Sequence, residues 1–202
     1  GQEEWRFDTG ANQQTNQVFV ADVNNDGEYE AVTWTDSPSS AVFIVSFYGT
    51  ELARWTHPRE GVNIRICQTM GDVNGDGNDD LIIGAPQAGP SGAGDRGETY
   101  VVFGREDGTF PAEVNLSSLR TPDEVDGPKG LILCGTGDSD QSGVSVSSAG
   151  DINNDGYGDI VIGAQNAGPV GNERAGDTYV VFGGPDEHLP SELPLSTLLT
   201  RN

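Results

Sequence analysis

The chain repeats itself, and that repetition constrains its fold more than any other feature. Residues 71–104 read GDVNGDGNDDLIIGAPQAGPSGAGDRGETYVVFG and residues 150–183 read GDINNDGYGDIVIGAQNAGPVGNERAGDTYVVFG. The two align without a gap at an offset of 79, with 20 of 34 positions identical. The same offset carries on into Phe110-Pro111, Leu116-Ser117 and Leu119 against Leu189-Pro190, Leu195-Ser196 and Leu198. A more divergent copy lies 50 residues before the middle one, where Trp5, Asp22, Asn24, Asp26, Gly27 and Glu30 fall opposite Trp55, Asp72, Asn74, Asp76, Gly77 and Asp80. A unit of this length cannot bury its own apolar surface, so neighbouring units must stack.

Within each unit the apolar residues come in short β-branched and aromatic clusters separated by Gly-rich connections, the pattern of strands rather than helices. In the last unit these are Val144 to Ala149, Asp159 to Ala164 and Thr178 to Phe182. A fourth strand precedes each unit, at Glu4 to Phe7, Leu52 to Trp55 and Leu131 to Cys134. Four antiparallel strands repeated radially indicate an all-β fold of propeller blades. The boundaries follow: residues 8–55 for a divergent first blade, 56–134 for the second, and 135–202 for a third that lacks its own fourth strand. Residues 1–7 supply the fourth strand of a preceding or closing blade. Three blades are fewer than the usual four to eight, so the expectation is a segment of a larger propeller or one completed by another copy of the chain.

Each unit carries a nine-residue loop rich in oxygen donors: DVNNDGEYE from Asp22 to Glu30, DVNGDGNDD from Asp72 to Asp80, and DINNDGYGD from Asp151 to Asp159. Oxygen side chains stand at positions 1, 3, 5 and 9, namely Asp22, Asn24, Asp26 and Glu30; Asp72, Asn74, Asp76 and Asp80; Asp151, Asn153, Asp155 and Asp159. Glycine at position 6 permits a sharp turn, and the carbonyl of position 7 (Glu28, Asn78, Tyr157) can face the same centre. Such a set suits a hard cation with roughly six to eight oxygens, Ca²⁺ in preference to the stricter octahedron of Mg²⁺, giving three expected Ca²⁺ sites. The loops share these positions with the first half of an EF-hand but fail as one. The residues at position 12 are Thr33, Ile83 and Ile162, and no helix follows. The cation would instead staple two strands.

The Asp-x-Asn-x-Asp-Gly-x-x-Asp loop, followed by an apolar strand and Gly84-Ala85-Pro86, resembles the FG-GAP repeat of integrin α-subunit propellers and of bacterial surface proteins. Tyr100 to Gly104 followed by Phe110-Pro111 is most similar to the bacterial forms. The resemblance implies Ca²⁺ loops joining the inner two strands of each blade on one face of the disc, with ligands bound on the opposite face. That face would hold the second-to-third and fourth-to-first connections, and by resemblance His57, Arg59, Arg96 and Arg174 are its candidate ligand contacts. Some positions depart from the pattern. Ser142-Gly143 and Ile64-Arg65 replace Phe-Gly, Gln165 replaces the proline, Trp34 stands where Gly84 would be, and Glu30 is one methylene longer than aspartate.

Composition bounds the function. With 32 Asp+Glu against 10 Lys+Arg the net charge is −22, which opposes binding to nucleic acid or to anionic membrane surfaces. No apolar run long enough to span a bilayer is present. Nine of the acidic side chains stand at the donor positions 1, 5 and 9 of the loops, and three Ca²⁺ would take the charge from −22 to −16. His57 and His188 read as solvent-exposed loop residues. The cysteines fall on the innermost (Cys67) and outermost (Cys134) strands of the middle blade, about 14 Å apart across three strand spacings, and are expected to be free, buried thiols. The function expected is an extracellular or cell-surface, non-catalytic adhesion module for a protein or glycan ligand. The alternatives are the propeller of a polysaccharide lyase or hydrolase, catalytic or accessory, and a unit that self-assembles through open blade edges. No G-x-S-x-G or H-E-x-x-H motif occurs.

Overall fold

The computed structural model describes residue 8 and residues 15–24, 26–35, 40–59, 61–89, 95–105, 109–120, 130–168, 174–185 and 188–198. The expected strand at Glu4 to Phe7, with Trp5, lies outside the described residues, as do parts of the long connections at 36–39, 90–94 and 169–173. In chain order the strands are β1 (Thr15–Ala21), β2 (Glu30–Thr35), β3 (Ala41–Val45), β4 (Glu51–Thr56), β5 (Ile66–Thr69), β6 (Leu81–Ala85), β7 (Glu98–Val102), β8 (Glu113–Asn115), β9 (Gly130–Cys134), β10 (Ser142–Gly150), β11 (Asp159–Ala164), β12 (Asp177–Val181) and β13 (Glu192–Pro194). The only helical elements among the described residues are short 3-10 turns such as Leu116–Arg120 and Leu195–Leu198. The fold is all-β, as the period and spacing of the repeats require.

Three sheets form. β1 to β4 pair as an antiparallel meander, β5, β6, β7 and β9 make a second, and β10 to β12 make a third. Each candidate loop is the connection between the first two strands of its sheet. The sheets stack in chain order. Val32, Trp34, Val42, Ile44 and Trp55 of the first pack on Cys67, Leu81, Ile83, Tyr100 and Ile132 of the second. The other face of the second sheet, with Ile82, Val101, Leu131 and Leu133, packs on Val146, Ile160, Ile162 and Tyr179 of the third. Both faces of the middle sheet are therefore covered, and LIIGA in β6 is buried throughout rather than alternating.

Blades meet closely where glycine allows it. A Cβ on Gly84 would lie 2.2 Å from the carbonyl oxygen of Gly143 on the next blade. Trp34 occupies the matching position in β2 and is buried in the apolar layer between the first and second sheets, so this junction is filled by an indole instead.

Two strands were not foreseen. β8 joins the outer edge of β4 in parallel, with Arg54 opposite Glu113 and Trp55 opposite Val114. β13 does the same to β9, with Ile132 opposite Glu192. The tail of each unit thus returns to the sheet before it, which covers an edge that would otherwise expose unpaired backbone groups. These tails are the recurring Phe-Pro and Leu-Ser segments. Leu116 and Leu119 drive the first one into the layer between sheets, and Phe110 meets Trp55 edge-on at 5.4 Å.

Arg120 closes the arrangement. Its Nη2 donates to the buried Glu98 at 2.6 Å and its Nε to Glu192 of β13 at 2.9 Å. Tyr100 Oη donates to the other Glu98 oxygen at 2.5 Å. Burial pulls the guanidinium down, but Glu98 and Glu192 outweigh it and hold Arg120 above the usual arginine range.

The cysteines are free, and three strand spacings separate them in the second sheet, as expected. Cys67 is buried. The expectation for Cys134 needs correction, because it is only half-buried. It ends β9 at the sheet margin, where its thiol donates to Glu192 at 3.4 Å. Burial, then Glu98 and Glu192, push that thiol up to about 12.

The tail strands give a direct test. Leu119 is 2% exposed, whereas Leu198, at the same repeat position, is 39% exposed. Leu119→Ala is expected to cost about 2–5 kcal/mol in urea unfolding, and Leu198→Ala no more than about 0.5 kcal/mol.

Candidate metal centre

The three loops adopt one hydrogen-bonded form. The position 1 carboxylate accepts from the amides of positions 5 and 6: Asp22 from Asp26 and Gly27, Asp72 from Asp76 and Gly77, Asp151 from Asp155 and Gly156, all at 2.9–3.1 Å. The position 3 amide oxygen (Asn24, Asn74, Asn153) accepts from the position 5 amide, while its Nδ2 donates to the position 5 carboxylate. That carboxylate accepts from the amide of position 7, Glu28, Asn78 or Tyr157, at 2.7–3.0 Å.

The turn needs left-handed backbone at position 6, and Gly27, Gly77 and Gly156 have φ of 87°, 89° and 95°. Position 4 is left-handed too, at Gly75 (φ 79°) and Asn154 (φ 60°). Gly and Asn are the residues that tolerate this region best, so the alternation of Gly and Asn at position 4 was a readable signal.

Position 9 differs from positions 1 and 5 because its carboxylate is buried in every loop. Asp80 and Asp159 are 0% exposed and Glu30 is 2% exposed. One oxygen of Asp80 accepts from Val73 N at 2.8 Å and the other from Gly104 N at 2.9 Å. Asp159 repeats this with Ile152 at 2.7 Å and Gly183 at 3.0 Å. The second tie uses the glycine that ends Tyr-Val-Val-Phe-Gly, present in both units, and sequence reasoning had assigned that glycine no part in the loop. Glu30 accepts from Val23 N at 3.2 Å. Burial pushes both Asp80 and Glu30 up to about 7. The amides of Val73 and Gly104, and of Val23, pull the other way, and the neighbouring loop carboxylates add to the rise.

The loops thus bring Asp, Asn and Asp together at positions 1, 3 and 5 through shared amides, and turn the position 9 carboxylate inward onto backbone. Among the described residues, no group of three or more His, Cys, Asp or Glu side chains gathers closely enough to hold a metal ion by itself. A cation would draw on asparagine and carbonyl oxygens as well. The donor chemistry fits a hard cation, since every donor is oxygen and a buried carboxylate in each loop is held by amides alone.

The second and third loops touch. Gly158 N donates to the Asp72 carbonyl at 2.7 Å and Gly184 N to the Val73 carbonyl at 2.9 Å. The Tyr157 ring lies over Gly75, where a Cβ would be 2.4 Å from its Cε1.

Of the four candidate ligand contacts, His57 and Arg59 are joined by a hydrogen bond, while Arg96 and Arg174 lie on other connections. Arg96 pairs with Asp138 at 2.9 Å. Arg59 is exposed, and its amide donates to His57 Nδ1 at 3.1 Å. Arg174 is exposed at a left-handed φ of 77°. His188 is exposed, but the reading of His57 as a solvent-exposed residue is corrected: it is half-buried, 6.1 Å from the Tyr100 ring, and burial lowers its pKa.

A model of the FG-GAP repeat family matches residues 69–102 and 142–181, which run from the end of β5 through β7 and from the start of β10 through β12. Among curated proteins the chain is similar to mouse phosphatidylinositol-glycan-specific phospholipase D, 31% identical over 61% of this chain and 13% of that protein. It is also similar to integrin alpha-PS3 of Drosophila melanogaster, 36% identical over 48% of this chain and 7% of that one. Mouse integrin alpha-IIb is 33% identical over 52% of this chain and 8% of its own length. The chain therefore spans a small fraction of the relatives it matches. Two stretches of the chain match the FG-GAP repeat, and they hold the core strands of its second and third sheets.

Proposed function

We propose that this chain is a calcium-stabilised propeller module, extracellular or at a cell surface, that binds a protein or glycan ligand on the face opposite its loops and carries out no catalysis itself. One observation carries the reading: three loops of matching oxygen sequence take the same form around a buried position 9 carboxylate. Ca²⁺ would be held by Asp22, Asn24, Asp26, Glu30 and the Glu28 carbonyl in the first loop. In the second it would be held by Asp72, Asn74, Asp76, Asp80 and the Asn78 carbonyl, and in the third by Asp151, Asn153, Asp155, Asp159 and the Tyr157 carbonyl. The ion would supply the positive charge that these carboxylates otherwise find only in amide dipoles. Extracellular calcium modules bind at about 10⁻⁴–10⁻³ M, which suits an environment of millimolar calcium. The similarity to integrin alpha chains supports the adhesive reading.

The similarity to a phospholipase supports a second reading, an accessory propeller beside a hydrolase. Among the described residues β12 is the outer strand of the third sheet, an edge on which a strand from a longer parent or a second copy could pair.

Calcium should raise the melting temperature of chelator-stripped protein. At 10 mM and a Kd of about 10⁻⁴ M the gain is about 2.7 kcal/mol per site. A melting temperature that ignores both calcium and chelator would sink the metal reading. Because Gly158 and Tyr157 rest on the second loop, Asp155→Ala is expected to remove one of three sites and to weaken binding at the second loop several-fold. Calorimetric titration would measure both. Unchanged affinity at the remaining sites would show that the loops act independently.

A further inference from the structure

At the end of the strands remote from the loops, the three blades converge on a cavity of about 330 Å³ lined by Gln17, Asn63, Arg65, Pro86, Gln87, Gln141, Val144 and Gln165. The repeat builds it. Arg65 and Val144 share one repeat position, and Pro86 and Gln165 share another, each pair separated by the offset of 79. The departure of Gln165 from the proline of its sibling therefore places a carboxamide in this wall.

The lining chemistry is unlike that of the rest of the chain. Acidic residues number 32 of 202, yet among the described residues none lines the cavity, which presents five carboxamides and one guanidinium. Arg65 is exposed, and among the described residues no carboxylate pairs with it. Gln141 holds a left-handed φ of 56°, a strained conformation for a residue with a side chain, and its Oε1 accepts from Gln165 Nε2 at 2.5 Å. Among the described lining residues only Pro86 and Val144 are apolar, and none carries an aromatic ring. A peptide side chain that binds through apolar burial finds little here. Carboxamides both donate and accept, which suits vicinal hydroxyls, and a planar guanidinium suits a carboxylate held by two parallel hydrogen bonds. The volume is at the small end of the range of about 300–1,000 Å³ for ligand pockets, on the order of one or two sugar rings.

We propose that this cavity binds a uronic-acid residue of an acidic polysaccharide, Arg65 holding the carboxylate and the carboxamides of Gln87, Gln141 and Gln165 the hydroxyls. The proposal rests on the reading of this face as the ligand side, and it names the ligand class.

Calorimetric titration of the calcium-saturated chain with trigalacturonate, near physiological salt, tests it. Binding is expected, with maltotriose at least tenfold weaker. Arg65→Gln is expected to lower the affinity for trigalacturonate at least tenfold without changing the melting temperature, and Gln165→Pro to lower it a few-fold. Absence of binding, equal binding of the neutral sugar, or an unaffected Arg65→Gln variant would overturn the proposal. Tighter binding of an aspartate-containing peptide would overturn it too, while leaving a ligand face in place. The calcium reading is judged separately, by the response to chelator.

Discussion

The rest of this fold depends on one buried carboxylate per loop. Asp80 and Asp159 each give one oxygen to the second residue of the loop and the other to the glycine after the third strand, so a single side chain ties a hairpin to the strand beyond it. Taking an ionised carboxylate out of water costs several kcal/mol, and hydrogen bonds from two amides offset only part of that. The remainder shows in Asp80, whose pKa burial pushes up to about 7 even with both ties in place. A divalent cation beside such a group would turn an electrostatic cost into a gain. The loop sequence, the fully buried ninth position and the shared turn form are therefore parts of one solution.

Between blades the chain uses a different device. Apolar layers on both faces of the middle sheet supply most of the cohesion, but they are not directional. Register between blades comes from backbone and ion pairing, with β8 on β4, β13 on β9, and Arg120 bridging Glu98 to Glu192. Because each tail strand belongs to the unit after the sheet it joins, the outer edges of the first and second sheets are each covered by the following unit. The contact between the second and third loops adds a further link at the opposite margin.

Much of this was legible in the sequence because the repeat is strong. The strand Asp159 to Ala164 and the inter-strand placement of each loop follow from short β-branched runs aligned at a constant offset, and both are seen in the structure. The tail strands were not legible. EVN and ELP are too short to show alternation, one contains proline, and their pairing depends on a sheet formed by residues far earlier in the chain. The same dependence explains Cys134 and His57. The first sits at a margin shared with Glu192 and the second against Tyr100, neighbours set by tertiary packing and not by local pattern. The capping role of Gly104 and Gly183 was present as a shared glycine 24 residues after the ninth-position aspartate, but its meaning required the third strand to be in place.

The loops and the cavity lie at opposite ends of the same strands and differ in chemistry. The loop end gathers carboxylates, while the other end presents Arg65 among carboxamides. A strand of five residues such as β6 spans about 17 Å at roughly 3.3 Å per residue, whereas charges in physiological salt are screened over about 8 Å. Loop carboxylates, with or without a bound cation, thus exert little field on the far cavity. A chain of net charge −22 can in this way keep a cavity whose described lining holds an anion beyond the reach of the loop carboxylates. The strands supply that distance, and the repeat places the carboxylate-rich loop at the same end in every unit.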